Sequence, residues 1–85
     1  MARIEIYTSS NCPYCHQAKK LLDEKNAAYD EKVVDTNPDL IAEAVKRSGG
    51  RRTVPQIFIN DEAVGGYDEI KALDQQGKLD AMLAA

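Results

Sequence analysis

Ile4-Glu5-Ile6-Tyr7-Thr8-Ser9-Ser10-Asn11-Cys12-Pro13-Tyr14-Cys15 reads as a strand, a short polar loop and the first turn of a helix. Ile4 and Ile6 alternate with polar residues at the period of a strand, spanning about residues 3 to 8. Cys15, Ala18 and Leu22 then recur at i, i+3 and i+7, with Leu21 widening an apolar helical stripe. Pro13 suits the first helical position: its fixed φ fits, and its missing N–H has no intrahelical acceptor there. Cys12 therefore stands at the helix start, with Cys15 one turn on.

Cys12 and Cys15 are the only cysteines among 85 residues. On a helix their Cβ atoms lie roughly 5 to 6 Å apart, near the reach of a disulfide. A bond closing so short a loop removes little entropy from the unfolded chain, so it is better read as one that forms and breaks. Thiolate is the reactive form, and thiols at helix N-termini and in CxxC motifs become more acidic because unpaired N–H groups and the helix dipole favour negative charge. Cys12 is accordingly the candidate attacking thiolate, and Cys15, deeper in the helix, the resolving thiol.

A cysteine pair at this spacing has other uses. Two cysteines can simply pack in a core. A structural zinc site wants four ligands, more than two cysteines and the single His16 provide, and no metal is expected. Cys12 to His16 also reads CxxCH, the c-type haem attachment pattern. Against haem, the motif follows a strand, and the opening residues read as that strand rather than an export signal. His16 is then a partly exposed helix residue.

The length suits one domain spanning residues 1–85. No stretch is long and apolar enough to cross a membrane, so no membrane association is expected. With net charge −3 and basic residues scattered apart from Lys46-Arg47 and Arg51-Arg52, a nucleic-acid partner has little support. A CxxC beside a βαβ pattern points to redox work in a reducing cytoplasm.

Downstream, a weaker strand is expected from about Tyr29 to Asp35. Asn37-Pro38 reads as a cap and first position of a helix whose apolar face is Ile41, Ala44 and Val45, ended by Gly49-Gly50. Gln56-Ile57-Phe58-Ile59 and Glu62-Ala63-Val64 form a hairpin across Asn60-Asp61. Gly65-Gly66 breaks the second strand, and the remainder is helical. The order β-α-β-α-β-β-α implies an α/β fold: a four-stranded mixed sheet with helices on both faces, the first two strands parallel through a right-handed crossover and the last two antiparallel.

Taken together, Ile4-Glu5-Ile6-Tyr7-Thr8, Cys12-Pro13-Tyr14-Cys15, Thr53-Val54-Pro55-Gln56-Ile57-Phe58-Ile59 and Gly65-Gly66-Tyr67-Asp68 resemble a dithiol glutaredoxin of the small bacterial type, with a thioredoxin-like fold. The resemblance covers nearly the whole chain. It implies a glutathione-dependent thiol–disulfide oxidoreductase, with glutathione as co-substrate. Glutathionylated or disulfide-containing proteins would be its clients, ribonucleotide reductase among those the family suggests, and the molecule would be a monomer. It implies a cis Pro55 facing the cysteines, which leaves the N–H and C=O of Val54 free to pair with an extended peptide.

By the same resemblance, Gly66 and Tyr67 offer backbone groups to the γ-glutamyl end of glutathione, and Asp68 meets its ammonium. Asp68 also reads as a helix cap, and Glu69 as a residue favouring the first turn. Thr53 flanks the peptide-pairing segment, and Tyr14 is a candidate lid. Many family members carry a lysine shortly before the first cysteine, which helps hold the glycine carboxylate. Here Thr8-Ser9-Ser10-Asn11 has none, which leaves Arg51, Arg52 or a hydroxyl for that carboxylate. A reductase-coupled redoxin of the same fold and an iron–sulfur carrier bridged through Cys12 and glutathione are the alternatives. The anion site at Gly65–Asp68 argues against the first, and Pro13, which stiffens the motif, against the second.

Overall fold

The computed structural model describes residues 2–84. The elements run β1 (Ile4–Thr8), α1 (Pro13–Glu24), β2 (Asp30–Val33), α2 (Pro38–Ser48), β3 (Gln56–Ile59), β4 (Glu62–Gly65), α3 (Tyr67–Gln75) and α4 (Leu79–Ala84). The four strands form one mixed sheet in the order β2-β1-β3-β4. β1 is parallel to β2, with Glu5 opposite Asp30, and antiparallel to β3, with Ile4 opposite Ile59. The β3–β4 hairpin turns on Asn60 and Asp61, both at positive φ, as a tight two-residue connection requires. Its register shifts between Ile57 and Phe58, so that Ile57 faces Gly65.

β1 is buried along its whole length because helices cover both faces of the sheet. Ile4, Ile6, Ile57 and Ile59 pack on one face against Ala18 and Leu22 of α1, Ile70 of α3 and Leu79 of α4. Tyr7 and Phe58 pack on the other with Val34, Leu40 and Ala44, beneath α2. The alternation in β1 therefore separates two interiors. Its charged member Glu5 lies on the α2 side and is 2% exposed.

Three elements differ from the sequence expectation. β2 stops at Val33 rather than Asp35, because the Asp35 carboxylate turns back to accept from Ser9 Oγ at 2.7 Å and Ser10 N at 2.9 Å. The C-terminal segment is two helices: Gly77, at φ 74°, ends α3, and the chain restarts at Leu79. In α2 the buried face is Leu40 and Ala44, while Ile41 is 46% exposed. Arg47 lies on the same side as Leu40 and Ala44, where it reaches Glu5, and Ile41 faces outward.

Candidate functional site

The loop before α1 delivers Cys12 as the N-cap residue, in extended conformation, with Pro13 in the first turn. Cys12 Sγ accepts the Cys15 N–H at 3.1 Å, one of the donors that a helix start leaves without an intrahelical partner. On its other side the thiol faces Val54 O, 3.9 Å away. The Val54–Pro55 bond is cis, as the family resemblance implied.

Cys15 is fully buried beneath this arrangement. Burial first, then the hydrogen bond and charge interaction with Cys12, push its thiol up to about 12. The two sulfurs are therefore chemically distinct: one half-buried at the helix mouth, one enclosed and protonated at neutral pH. Iodoacetamide at pH 7.5 should alkylate the native reduced protein once, at Cys12, and reach Cys15 only after unfolding. Peptide mass mapping with and without denaturant checks this, and equal labelling of both in the native state would contradict it.

A cleft of about 120 Å³, reached from the thiol through Val54, is lined by Tyr14, Arg51, Thr53, Val54, Pro55, Gly66, Tyr67, Asp68 and Glu69. Eight of these are residues the sequence reading singled out for glutathione. Arg52 is not among them: it lies on the opposite side of the loop, with Pro38, Ile41, Ala42, Val45 and Lys46. Successive residues of an extended segment point to opposite sides, so the Arg51-Arg52 pair is divided between two surfaces.

Arg51 is held at several points. Its backbone N–H donates to Ser48 Oγ at 3.0 Å, and Gln56 Nε2 donates to its carbonyl at 2.7 Å. Its guanidinium pairs with Glu69 Oε1 at 2.7 Å, and that oxygen also accepts the Gly66 N–H at 3.2 Å. The Arg51 side chain thus stands beside the start of α3. Arg51, followed by the Gly66 N–H, holds the Glu69 carboxyl below its ordinary range.

Glu69 is the lining residue that the sequence reading passed over as a mere first-turn acid. The signal was present in its spacing, three residues after the N-cap, as in a capping box. The N-cap is Gly66 rather than Asp68, and a glycine cannot return the reciprocal side-chain bond. Both glycines are closely enclosed. A Cβ on Gly65, which sits at φ 125°, would fall 2.7 Å from Glu69 Cγ, and one on Gly66 would fall 3.1 Å from Pro55 O. The N–H groups of Tyr67 and Asp68 open α3 and have no intrahelical acceptor, so they form the anion-favouring end of the cleft.

Tyr14 stands at the mouth, 62% exposed, its ring 6.3 Å from that of Tyr67. The loop ahead of Cys12 carries no cation, and the Asp35 carboxylate that anchors Ser9 and Ser10 adds negative charge on that side. Among the described residues, no group of three or more His, Cys, Asp or Glu is placed to hold a metal, and no helix is long and apolar enough to cross a membrane.

Comparison with known proteins agrees with this geometry. The glutaredoxin family model matches residues 4–64. The chain is 51% identical to glutaredoxin 3 of Escherichia coli K12 over 83 residues, covering 98% of this chain and 99% of that one. It is 46% identical to a glutaredoxin of Pseudomonas aeruginosa over 85 residues, the full length of both. Among solved structures, a buckwheat glutaredoxin–glutathione complex superposes with a TM-score of 0.88 at 31% identity, covering 98% of this chain and 77% of that one. Glutaredoxin from Brucella melitensis superposes with a TM-score of 0.84 at 48% identity, covering 98% and 89%. A CxxC at a helix mouth facing a cis-proline loop, at this level of identity along the whole chain, places the protein in the glutaredoxin family.

Proposed function

We propose that the cleft binds glutathione and that Cys12 is the nucleophile of a glutathione-dependent thiol–disulfide oxidoreductase. The observation that carries this reading is the position of Cys12 Sγ: bonded to the Cys15 N–H, facing Val54 O, and beside a cleft that ends in free helix N–H groups. Glutathione laid along Val54 pairs its backbone with the N–H and C=O there, which sets its own sulfur near Cys12. Its γ-glutamyl head carries an ammonium and a carboxylate on one carbon. Asp68 suits the first, and the Tyr67 and Asp68 N–H groups with the Arg51 guanidinium suit the second.

With a glutathionylated protein, the Cys12 thiolate attacks the glutathione sulfur. The protein leaves as its thiolate, and glutathione stays on Cys12 as a mixed disulfide. A second glutathione thiolate attacks that sulfur, releasing glutathione disulfide and restoring Cys12.

With a protein disulfide, Cys12 instead bonds to the client and Cys15 resolves it. The client leaves as a dithiol, and the Cys12–Cys15 disulfide is reduced by two glutathiones. Once Cys12 is in a mixed disulfide, its hydrogen bond and charge no longer hold the Cys15 proton in place, so the resolving thiol ionises more easily at the step where it is needed. Ribonucleotide reductase is one client of this route, and the reducing cytoplasm is the compartment it requires.

The test is turnover of a glutathionylated peptide and of a protein disulfide, each with glutathione, glutathione reductase and NADPH. Cys15→Ser should keep the first activity within about threefold of the intact protein and lose the second, because only the second needs a resolving thiol. Loss of both, or retention of both, would contradict the division of labour, and absence of turnover by the intact protein would overturn the reading itself.

A further inference from the structure

The outward face of α2 is unlike the solvent face of an ordinary surface helix. Ile41, Pro38, Ala42 and Val45 line an open apolar groove of about 450 Å³, with Lys46 and Arg52 on its rim. Ile41 is among the few large apolar side chains left exposed. Of their nearest basic neighbours in sequence, Arg47 is paired with Glu5, and Arg51 is paired with Glu69 on the far side of the loop, in the cleft beside the thiol. Among the described residues, Lys46 and Arg52 make no such pair. An acidic protein of net charge −3 therefore presents an apolar strip with two uncommitted cations.

The groove lies across the 51–54 loop from the cleft beside the thiol, a short step along the chain. Arg52 is two residues from Val54, whose carbonyl faces the Cys12 thiol, and two residues of extended chain span at most about 7 Å. A polypeptide whose cysteine reaches Cys12 and which then follows Thr53 and Arg52 arrives on α2 within a few residues. Glutathione, whose head points the other way toward α3, does not.

We propose that this face of α2 docks the client polypeptide in the protein-disulfide route. The occupant is an extended segment a few residues from the client's reactive cysteine, with an aliphatic side chain in the Ile41–Val45 groove and carboxylates beside Lys46 and Arg52. The inference rests on Cys12 as the nucleophile. Charge complementarity selects this occupant. A symmetric pairing of two copies through the same patch would bring Lys46 and Arg52 against their own equivalents, which disfavours a second copy.

The experiment compares peptides holding one disulfide and differing in a flanking tripeptide, Leu-Asp-Glu, Leu-Lys-Lys or Ser-Asp-Glu, placed three residues to either side of the cysteines. The mixed disulfide of glutathione with 2-mercaptoethanol serves as the small substrate. In one of the two placements, the intact protein should favour Leu-Asp-Glu over Leu-Lys-Lys by about tenfold in kcat/KM at low salt, and by less as salt is raised. Lys46→Glu should erase that preference, and Ile41→Ser should lower the Leu-Asp-Glu rate by about fivefold toward that of Ser-Asp-Glu. Both variants should turn over the small substrate as the intact protein does.

Equal rates for all peptides, or an equal fall in the small substrate, would overturn the docking surface while leaving the proposed activity in place. A dimer that Ile41→Ser dissociates in analytical ultracentrifugation would also overturn it, by assigning the groove to a second copy. No turnover of the small substrate by the intact protein would overturn both readings.

Discussion

Cys12→Ser should abolish turnover of glutathionylated and disulfide substrates alike, by on the order of a thousandfold or more, since nothing else at the site can form the covalent intermediate. Among the described residues the only other thiol is Cys15, which is fully buried and pushed up to about 12. It is therefore neither exposed nor ionised when a substrate arrives. The replacement serine keeps the N-cap function, because a hydroxyl also accepts from the helix N–H groups. Folding should be retained, with a free energy of unfolding in urea within about 0.5 kcal/mol of the intact protein. Loss of activity with an unchanged unfolding curve, measured with the same coupled assay, separates chemistry from structure. Turnover of the glutathionylated peptide above a tenth of the intact rate would show that another group starts the reaction.

Glu5→Gln should have the largest effect on stability and little on chemistry. The Glu5 carboxylate lies in the middle of β1, 2% exposed, and receives Arg47 bidentately at 2.9 and 2.9 Å and Lys32 Nζ at 3.0 Å. Arg47 also donates to Tyr7 OH at 2.8 Å and lies 4.1 Å from the Phe58 ring centroid, while Tyr7 OH donates to Glu43. Removing the charge at the centre leaves Arg47, Lys32 and the more distant Arg3, 3.8 Å away, facing a buried amide. Breaking a fully buried pair costs 3 to 5 kcal/mol, and because Arg47 and Lys32 can partly rehydrate we expect the lower end, about 3 kcal/mol. For a domain of this size that corresponds to about 15 °C in the melting temperature.

The pH dependence follows from the same group. Arg47 foremost, with Lys32 assisting and burial opposing, lowers Glu5 from 4.5 to about 2. A depressed carboxylate contributes stability that is complete above its unfolded value and is lost as pH falls toward the folded one. The intact protein should therefore lose stability steeply between about pH 4.5 and 2, and Glu5→Gln much less steeply. Urea unfolding across that range checks both statements; parallel curves for the two proteins would show that Glu5 is not the group responsible.

Ile4-Glu5-Ile6-Tyr7-Thr8 and Cys12-Pro13-Tyr14-Cys15 were legible because their signals are local. Strand alternation, a proline in the first helical turn and apolar residues at i, i+3 and i+7 depend on neighbours within a few residues, and the buried Cys15, Ala18 and Leu22 follow from them. The hairpin at Asn60-Asp61 was equally local. The α2 phase was not: Ile41, Ala44 and Val45 satisfy the helical period, but so do Leu40, Ala44 and Arg47. Partners distant in sequence distinguish the two faces: Glu5, 42 residues from Arg47, and the Tyr7–Phe58 cluster on which Leu40 and Ala44 pack.

The sequence by itself determined the chemistry: two cysteines one turn apart at a helix start, in a βαβ frame, with a Gly-Gly-Tyr-Asp segment able to open another helix. Only the tertiary structure decided which groups surround them. It divided Arg51 from Arg52, made Glu69 the partner of Arg51, placed Asp35 behind the loop that lacks a lysine, and buried Glu5 under α2. The physical reason is range. Backbone conformation and helix capping are settled among residues adjacent in the chain. The partner of a charge and the side of the sheet it faces are settled by packing between elements that are distant in the chain.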